Sequence, residues 1–249
     1  MSHGLCQHCV SGVRHEGTPE GKIEQIGGVE CYVATPSGDY DKSKVVLFLT
    51  DVFGIPLNNN KLLADDFARN GYRTVIPDYL HNDPVPEDAF DAPGKFDIGA
   101  WAANHGENVW KPVVDHVVAA LKAEGVTRIG TVGYCYGAPS AFYLAYSNTS
   151  AVTVVTHPTR LNPESLQKYR DESTVPLLIN SCEVDPMFPP DLQAKSDEIF
   201  KGFAPGYERT YWDGCTHGFA VRGDISDPKV KAGKEGAFEA TVKFYQKHF

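Results

Sequence analysis

The segment Thr131-Val132-Gly133-Tyr134-Cys135-Tyr136-Gly137-Ala138 constrains the fold more than any other stretch of this sequence. An apolar run leads into G-x-C-x-G, and small residues that open a helix follow. That order of strand, sharp turn and helix is a nucleophile elbow, with cysteine in the place usually held by serine. A side chain two positions either side of the cysteine would collide with the neighbouring strand or helix, and glycine tolerates the strained backbone. The sulfur is predicted to stand at a helix mouth, where N–H groups and the helix dipole favour a thiolate and an oxyanion. The competing reading is a structural cysteine in a tight turn, since many buried cysteines act only as small apolar side chains.

The rest of the chain supplies elements that suit such an elbow. Val29–Ala34 alternates like a short strand, and Val45-Val46-Leu47-Phe48-Leu49 is a continuous apolar run suited to a central strand covered on both faces. Helical spacing at 61–70 is closed by Gly71, and a strand at 72–76 is ended by Pro77. An amphipathic helix is predicted at 110–123, then a strand at 128–133, the elbow, and a helix through Tyr146. Strands at 151–156, 175–180 and 207–212 follow, with helices at 190–202 and 229–248. Residues 1–20 read as irregular. Pro84, Pro86 and Pro93 with several acids mark a loop, and residues 81–105 are predicted to cap the site. Alternating strands and helices demand right-handed crossovers and a parallel sheet. The predicted fold is α/β, with a mostly parallel twisted sheet, helices on both faces, and one domain over residues 1–249.

Composition excludes several functions. The net charge of −9 argues against nucleic acid or an anionic membrane as partner, since both need clustered Lys and Arg. It also leaves any preference for an acidic substrate to local charges. No stretch of about 18 apolar residues occurs, and residues 1–10 lack the apolar core of a secretory signal. Six cysteines without such a signal read as thiols in a reducing, cytoplasmic setting. Cys6-Gln7-His8-Cys9 lacks a second ligand pair for zinc and the strand–helix context of a redox pair, so no metal and no cofactor are expected. Phosphate-cradling glycine motifs are absent. The expected partner is a small molecule, and the expected state is a monomer or weak homodimer.

In a parallel sheet, functional residues gather just after the carboxyl ends of strands. Cys135, Asp185 and His217 each occupy such a position, in the order nucleophile, acid, histidine that α/β-hydrolases use. A thiol is mostly protonated at neutral pH and needs a base. His217 would take that proton and return it to the leaving group, while Asp185 fixes the imidazole tautomer. Glu183 is the rival acid and His157 the rival base. The N–H of Tyr136 should form one half of an oxyanion hole, and Val52, in the Thr50-Asp51-Val52-Phe53-Gly54 loop, the other. Trp101, Tyr134, Tyr136 and Phe219 are candidate pocket aromatics, and Phe188 is divided between pocket and core.

Gly133-Tyr134-Cys135-Tyr136-Gly137, Thr50-Asp51-Val52-Phe53-Gly54, Pro77-Asp78-Tyr79 and His217-Gly218-Phe219 together resemble the dienelactone hydrolase family. The stretch Gly12 to Pro19 is similar to its fungal branch. The resemblance covers nearly the whole chain. It implies an α/β-hydrolase fold, a triad carried here by Cys135, His217 and Asp185, and hydrolysis of lactones or esters of the carboxymethylenebutenolidase type through a thioester. A non-catalytic ligand- or partner-binding relative on the same scaffold is the alternative. Bacterial members place Glu where Asp51 stands, to hold the resting thiol until substrate arrives. They also bind a substrate carboxylate with two arginines. Arg222 lies one residue beyond the matching position of one of these, and no arginine occurs between Asp78 and Lys111, only Lys95.

Overall fold

The computed structural model describes Val13, residues 16–92 and residues 94–249. Cys6 and Cys9 lie outside the described residues, as do Gly12, Arg14 and His15 of the Gly12 to Pro19 stretch. Among the described residues eight strands form one sheet: β1 Lys22–Ile26, β2 Val29–Ala34, β3 Lys44–Leu49, β4 Thr74–Pro77, β5 Arg128–Tyr134, β6 Ser150–Thr156, β7 Leu177–Val184 and β8 Tyr207–Thr216. Their order is β1-β2-β4-β3-β5-β6-β7-β8. β1 and β2 pair antiparallel, as do β2 and β4, and every pair from β4 to β8 is parallel. This is the mostly parallel sheet that alternating strands and helices demand.

β3 and β5 run side by side at its centre. From Val45 through Leu49 no side chain has any exposed surface, which is why that run carries no polar alternation. Each such Val, Leu or Phe contributes roughly 1.5–3 kcal/mol by leaving water. Among the described residues eight α-helices surround the sheet: α1 Asn58–Arg69, α2 Ile98–Asn104, α3 Glu107–Ala123, α4 Ala138–Tyr146, α5 Pro163–Glu172, α6 Pro190–Ile199, α7 Phe219–Arg222 and α8 Pro228–His248. α1, α7 and α8 pack together, with Phe67 of α1 against Phe238 and Tyr245 of α8 at ring separations of 4.9 and 6.0 Å. α3, α4, α5 and α6 form the second helical group.

Four elements escape the periodicity reading. β1 exposes all but Ile26, so it shows no alternation of apolar and polar side chains. α2 buries only Trp101, and α5 only Leu166 and Tyr169, which is too little for a visible apolar stripe. α5 is instead specified at its start, where Asn162 and Ser165 form a reciprocal cap ahead of Pro163. α7 is a single turn. β7 and β8 also run four residues past their predicted ends, to Val184 and Thr216, and thereby deliver Asp185 and His217 directly to the sheet's carboxyl rim.

Candidate active site

The elbow is held by backbone contacts. Cys135 takes a left-handed conformation with φ +50°, a strained choice for a side chain of its kind. A Cβ on Gly133 would stand 2.6 Å from the Gly137 carbonyl oxygen, and one on Gly137 would collide with the carbonyl of Leu49 in β3. Both glycines are therefore required by β5, β3 and α4 meeting so closely. The loop after β6 steadies the bend, since the Thr159 N–H and hydroxyl both donate to the Cys135 carbonyl at 3.1 and 3.2 Å.

At the rim the thiol, imidazole and carboxyl stand in line. His217 Nε2 is 3.1 Å from Cys135 Sγ, and His217 Nδ1 is 2.9 Å from Asp185 Oδ1. Asp185 is buried, and its Oδ1 also accepts the N–H groups of Met187 at 2.8 Å and Phe188 at 3.2 Å. A carboxylate can only accept, so the imidazole proton sits on Nδ1 and leaves Nε2 to accept from the thiol. Cys182, one turn of chain earlier, directs its Sγ at Asp185 Oδ2 over 4.0 Å. The rivals stand apart. Glu183 Oε2 accepts the Gly214 N–H at 2.7 Å on the surface. His157 is buried with its ring 5.2 Å from that of His217, but neither of its nitrogens has a hydrogen-bond partner. Burial first, and then the neighbouring His217 and Arg222, hold its pKa well below the usual value.

Burial opposes the pull of the helix mouth toward a thiolate. Burial pushes the Cys135 pKa up to about 12; the Asp51 carboxyl adds to this, while Arg222 and the Tyr136 N–H oppose it. The helix-mouth effect is present in that N–H and is outweighed by desolvation.

Asp51 sits on the other side of the thiol, and its loop is fastened at every residue. The Tyr79 hydroxyl donates to Thr50 O at 2.5 Å, and Val85 N–H to Val52 O at 2.9 Å. Asn60 Nδ2 donates to both Asp51 Oδ1 and Gly54 O, at 3.0 and 2.8 Å. Phe53 N–H donates to the same Asp51 oxygen at 3.1 Å. Asp51 Oδ2 is buried without a hydrogen bond, 3.7 Å from Arg222 Nε. Burial raises the Asp51 pKa despite Asn60 and Arg222. The Arg222 guanidinium lies 4.7 Å over the ring of Phe53. Asn60 is a site-shaping residue that the sequence reading missed, and Tyr79, quoted there within Pro77-Asp78-Tyr79, was given no role. The polar run Asn58-Asn59-Asn60 at the start of a helix was the available signal.

The aromatic candidates divide. Trp101 covers the elbow: its ring meets Tyr136 edge-on at 5.4 Å, stacks on His105 at 4.0 Å, and donates to Asp83 O at 2.7 Å. The Tyr136 hydroxyl donates to His105 O at 2.5 Å, tying the elbow to the 81–105 segment. Tyr134 is corrected from pocket to core. It immediately precedes the cysteine, its side chain is buried, and its ring stacks on Phe48 at 4.8 Å. Phe188 has no exposed surface and belongs to the core. Phe219 is also buried, against His157 at 5.5 Å, where it backs the histidines and offers no open surface. Among the described residues, no group of three His, Cys, Asp or Glu side chains is placed to hold a metal ion.

A mostly parallel sheet with an elbow after β5 and acid and histidine after β7 and β8 defines an α/β-hydrolase. The profile of the dienelactone hydrolase family matches residues 29–249, and the chain belongs to that family. Its relatives include the hydrolase pyvD of Aspergillus violaceofuscus, 34% identical over 97% of this chain and 96% of that one. Dienlactone hydrolase 1 of Gibberella moniliformis is 30% identical over 96% of this chain and 92% of its own length. Among solved structures, a putative dienelactone hydrolase from Klebsiella pneumoniae shares the fold with a TM-score of 0.70 at 17% identity, covering 88% of this chain and 93% of that one. The protein is a hydrolase of carboxylic esters or lactones. No helix among the described residues is long and apolar enough to cross a membrane.

Proposed function

We propose that hydrolysis runs through a cysteine nucleophile and a thioester, with Cys135, His217 and Asp185 as its triad. The observation that carries this is the 3.1 Å approach of Cys135 Sγ to His217 Nε2, with the imidazole held from behind by Asp185 at 2.9 Å. The thiol proton passes to Nε2 as sulfur bonds to the substrate carbonyl carbon. The carbonyl oxygen becomes an oxyanion facing the N–H groups of Tyr136 and Val52, each contributing on the order of 3 kcal/mol to the barrier reduction. Collapse breaks the bond to the alcohol or enol oxygen, which takes the proton from His217. A water then loses its proton to His217, attacks the thioester, and releases the carboxylic acid as the thiol is restored.

The high thiol pKa shapes this reading. At neutral pH the resting sulfur is protonated, so activation belongs to the encounter with substrate. An anionic substituent on the substrate would draw Arg222 away from Asp51 and bind there. The 81–105 segment, fastened through Trp101, His105 and Tyr136, acts as the cap. The described cysteines are all unpaired, which suits a reducing compartment such as the cytoplasm. The test is steady-state hydrolysis of an aryl ester by Cys135→Ala. The reading predicts loss of at least about 10³-fold in kcat/KM, the scale seen when a covalent nucleophile is removed. Turnover at the parent rate would end it.

A further inference from the structure

A ring nitrogen buried without a hydrogen bond loses its solvation uncompensated, and such groups in folded proteins have a cause. His157 carries two of them. It follows β6 directly, and β6 lies between the strand that bears the elbow and the strand that delivers Asp185. Its backbone N–H donates to Asn180 O of β7 at 2.9 Å, and its φ of +38° is left-handed. The residue has no exposed surface, and neither ring nitrogen has a hydrogen-bond partner. Three rings pack against it: His217 at 5.2 Å and 69°, Phe219 at 5.5 Å and 73°, and Tyr134 at 5.8 Å and 51°. A left-handed backbone tolerates histidine better than most side chains, but asparagine or glycine would serve it as well. Packing among rings would be served better by phenylalanine, which has no nitrogen to desolvate. What histidine alone adds is a ring with a strong dipole beside the imidazole of His217.

Resting on the triad reading above, we propose that His157 is a positioning residue for His217: its uncharged ring walls the imidazole on one side and turns its dipole toward the positive charge that His217 carries once it has taken the thiol proton. His157 itself neither gains nor loses a proton in this step. Burial, with His217 and Arg222 beside it, holds its pKa well below the usual value, so it is neutral at pH 7. With no hydrogen bond on either nitrogen, nothing fixes which of them carries the proton, and either tautomer can answer the charge. The other charged or titratable groups around His217 are already engaged. Cys135 Sγ lies at its Nε2, Asp185 at its Nδ1, and Arg222 faces Asp51 at 3.7 Å.

The test follows protonation of His217 by NMR in protein labelled at the histidine ring nitrogens, beside the kinetics of 4-nitrophenyl acetate hydrolysis. It compares the full-length parent with His157→Phe, His157→Leu and His157→Asn. Phe and Leu fill the space without a comparable dipole, whereas Asn keeps an uncharged dipole and tolerates the left-handed backbone. In His157→Phe and His157→Leu, His217 should protonate at a pH lower by about half a unit, which is about a threefold change in the equilibrium. Their kcat should fall by about threefold to tenfold with KM little changed. His157→Asn should recover most of both. An unmoved midpoint in His157→Phe, or an equal shift in His157→Asn, overturns the proposal; if the Phe variant does not fold, Leu against Asn decides in the same way. The NMR titration needs no turnover. A parent that hydrolyses no ester therefore defeats the hydrolase reading, while the midpoints still support or reject this one.

Discussion

Two buried aspartates flank the same sulfur, and the structure treats them in opposite ways. Asp185 accepts two backbone N–H groups and the imidazole of His217 on one oxygen. Asp51 gives one oxygen to Asn60 and Phe53 N–H and leaves the other buried with no hydrogen bond, facing Arg222 at 3.7 Å. A satisfied carboxylate is a fixed orienting charge. An under-satisfied one is a charge held at a cost, and its field falls on the thiol. Under the proposed mechanism Asp185 orients the base, while burial, with Asp51 adding to it, keeps the nucleophile protonated.

Replacing each aspartate by asparagine separates these roles. Asp185→Asn keeps the shape and removes the acceptor that selects the Nδ1 tautomer; kcat for ester hydrolysis should fall by about 10³- to 10⁴-fold. A loss below tenfold would mean that His217 needs no orienting charge. Arg222→Ala should come next, raising KM for a carboxylated ester by about tenfold while the uncharged counterpart changes less. Equal changes on both would remove Arg222 as the anion contact.

Asp51→Asn should have the opposite sign at the thiol. With the carboxylate gone, the Cys135 pKa falls from about 12, and alkylation by iodoacetamide near pH 8 should quicken by a few-fold to about tenfold. A slower reaction would contradict the assigned field. Stability gives a second reading of the same variant. The folded-state pKa of Asp51 is raised above its ordinary value by burial, so its contribution is most favourable below the normal carboxyl range and is lost as pH rises through the folded value. Asp51→Asn should therefore melt higher than the parent at pH 7, and the gap should close near pH 3. The smallest effect is expected from Asn60→Ala, which unfastens Asp51 and Gly54 and should lower stability by about 1–2 kcal/mol in urea unfolding.

The elbow was legible because its glycines answer to hard contacts, with Gly137 against Leu49 and Gly133 against Gly137. Those contacts leave a sequence signature, and so does the fully apolar β3. Asp185 and His217 were legible from their place after strands, although both strands are longer than their apolar runs suggest. β7 ends in the exposed pair Glu183-Val184 and β8 is polar along an open edge, so apolar content could not mark either terminus. Tyr134 was misplaced for a reason the sequence did contain. Adjacent strand residues face opposite ways, so the residue before a rim-facing cysteine points into the core. Asn60 was marked only by the polar run Asn58-Asn59-Asn60, a weak signal, because a polar side chain entering a helix looks the same whether it faces water or holds a buried loop.

The most direct measurement is mass spectrometry of the intact protein and its peptides during turnover of a slowly deacylating aryl ester. The account predicts one acyl group per chain, on the peptide containing Cys135, forming before the acid product and disappearing as the ester is exhausted. Steady turnover with no adduct at any time, or with the acyl group on another residue, would contradict it.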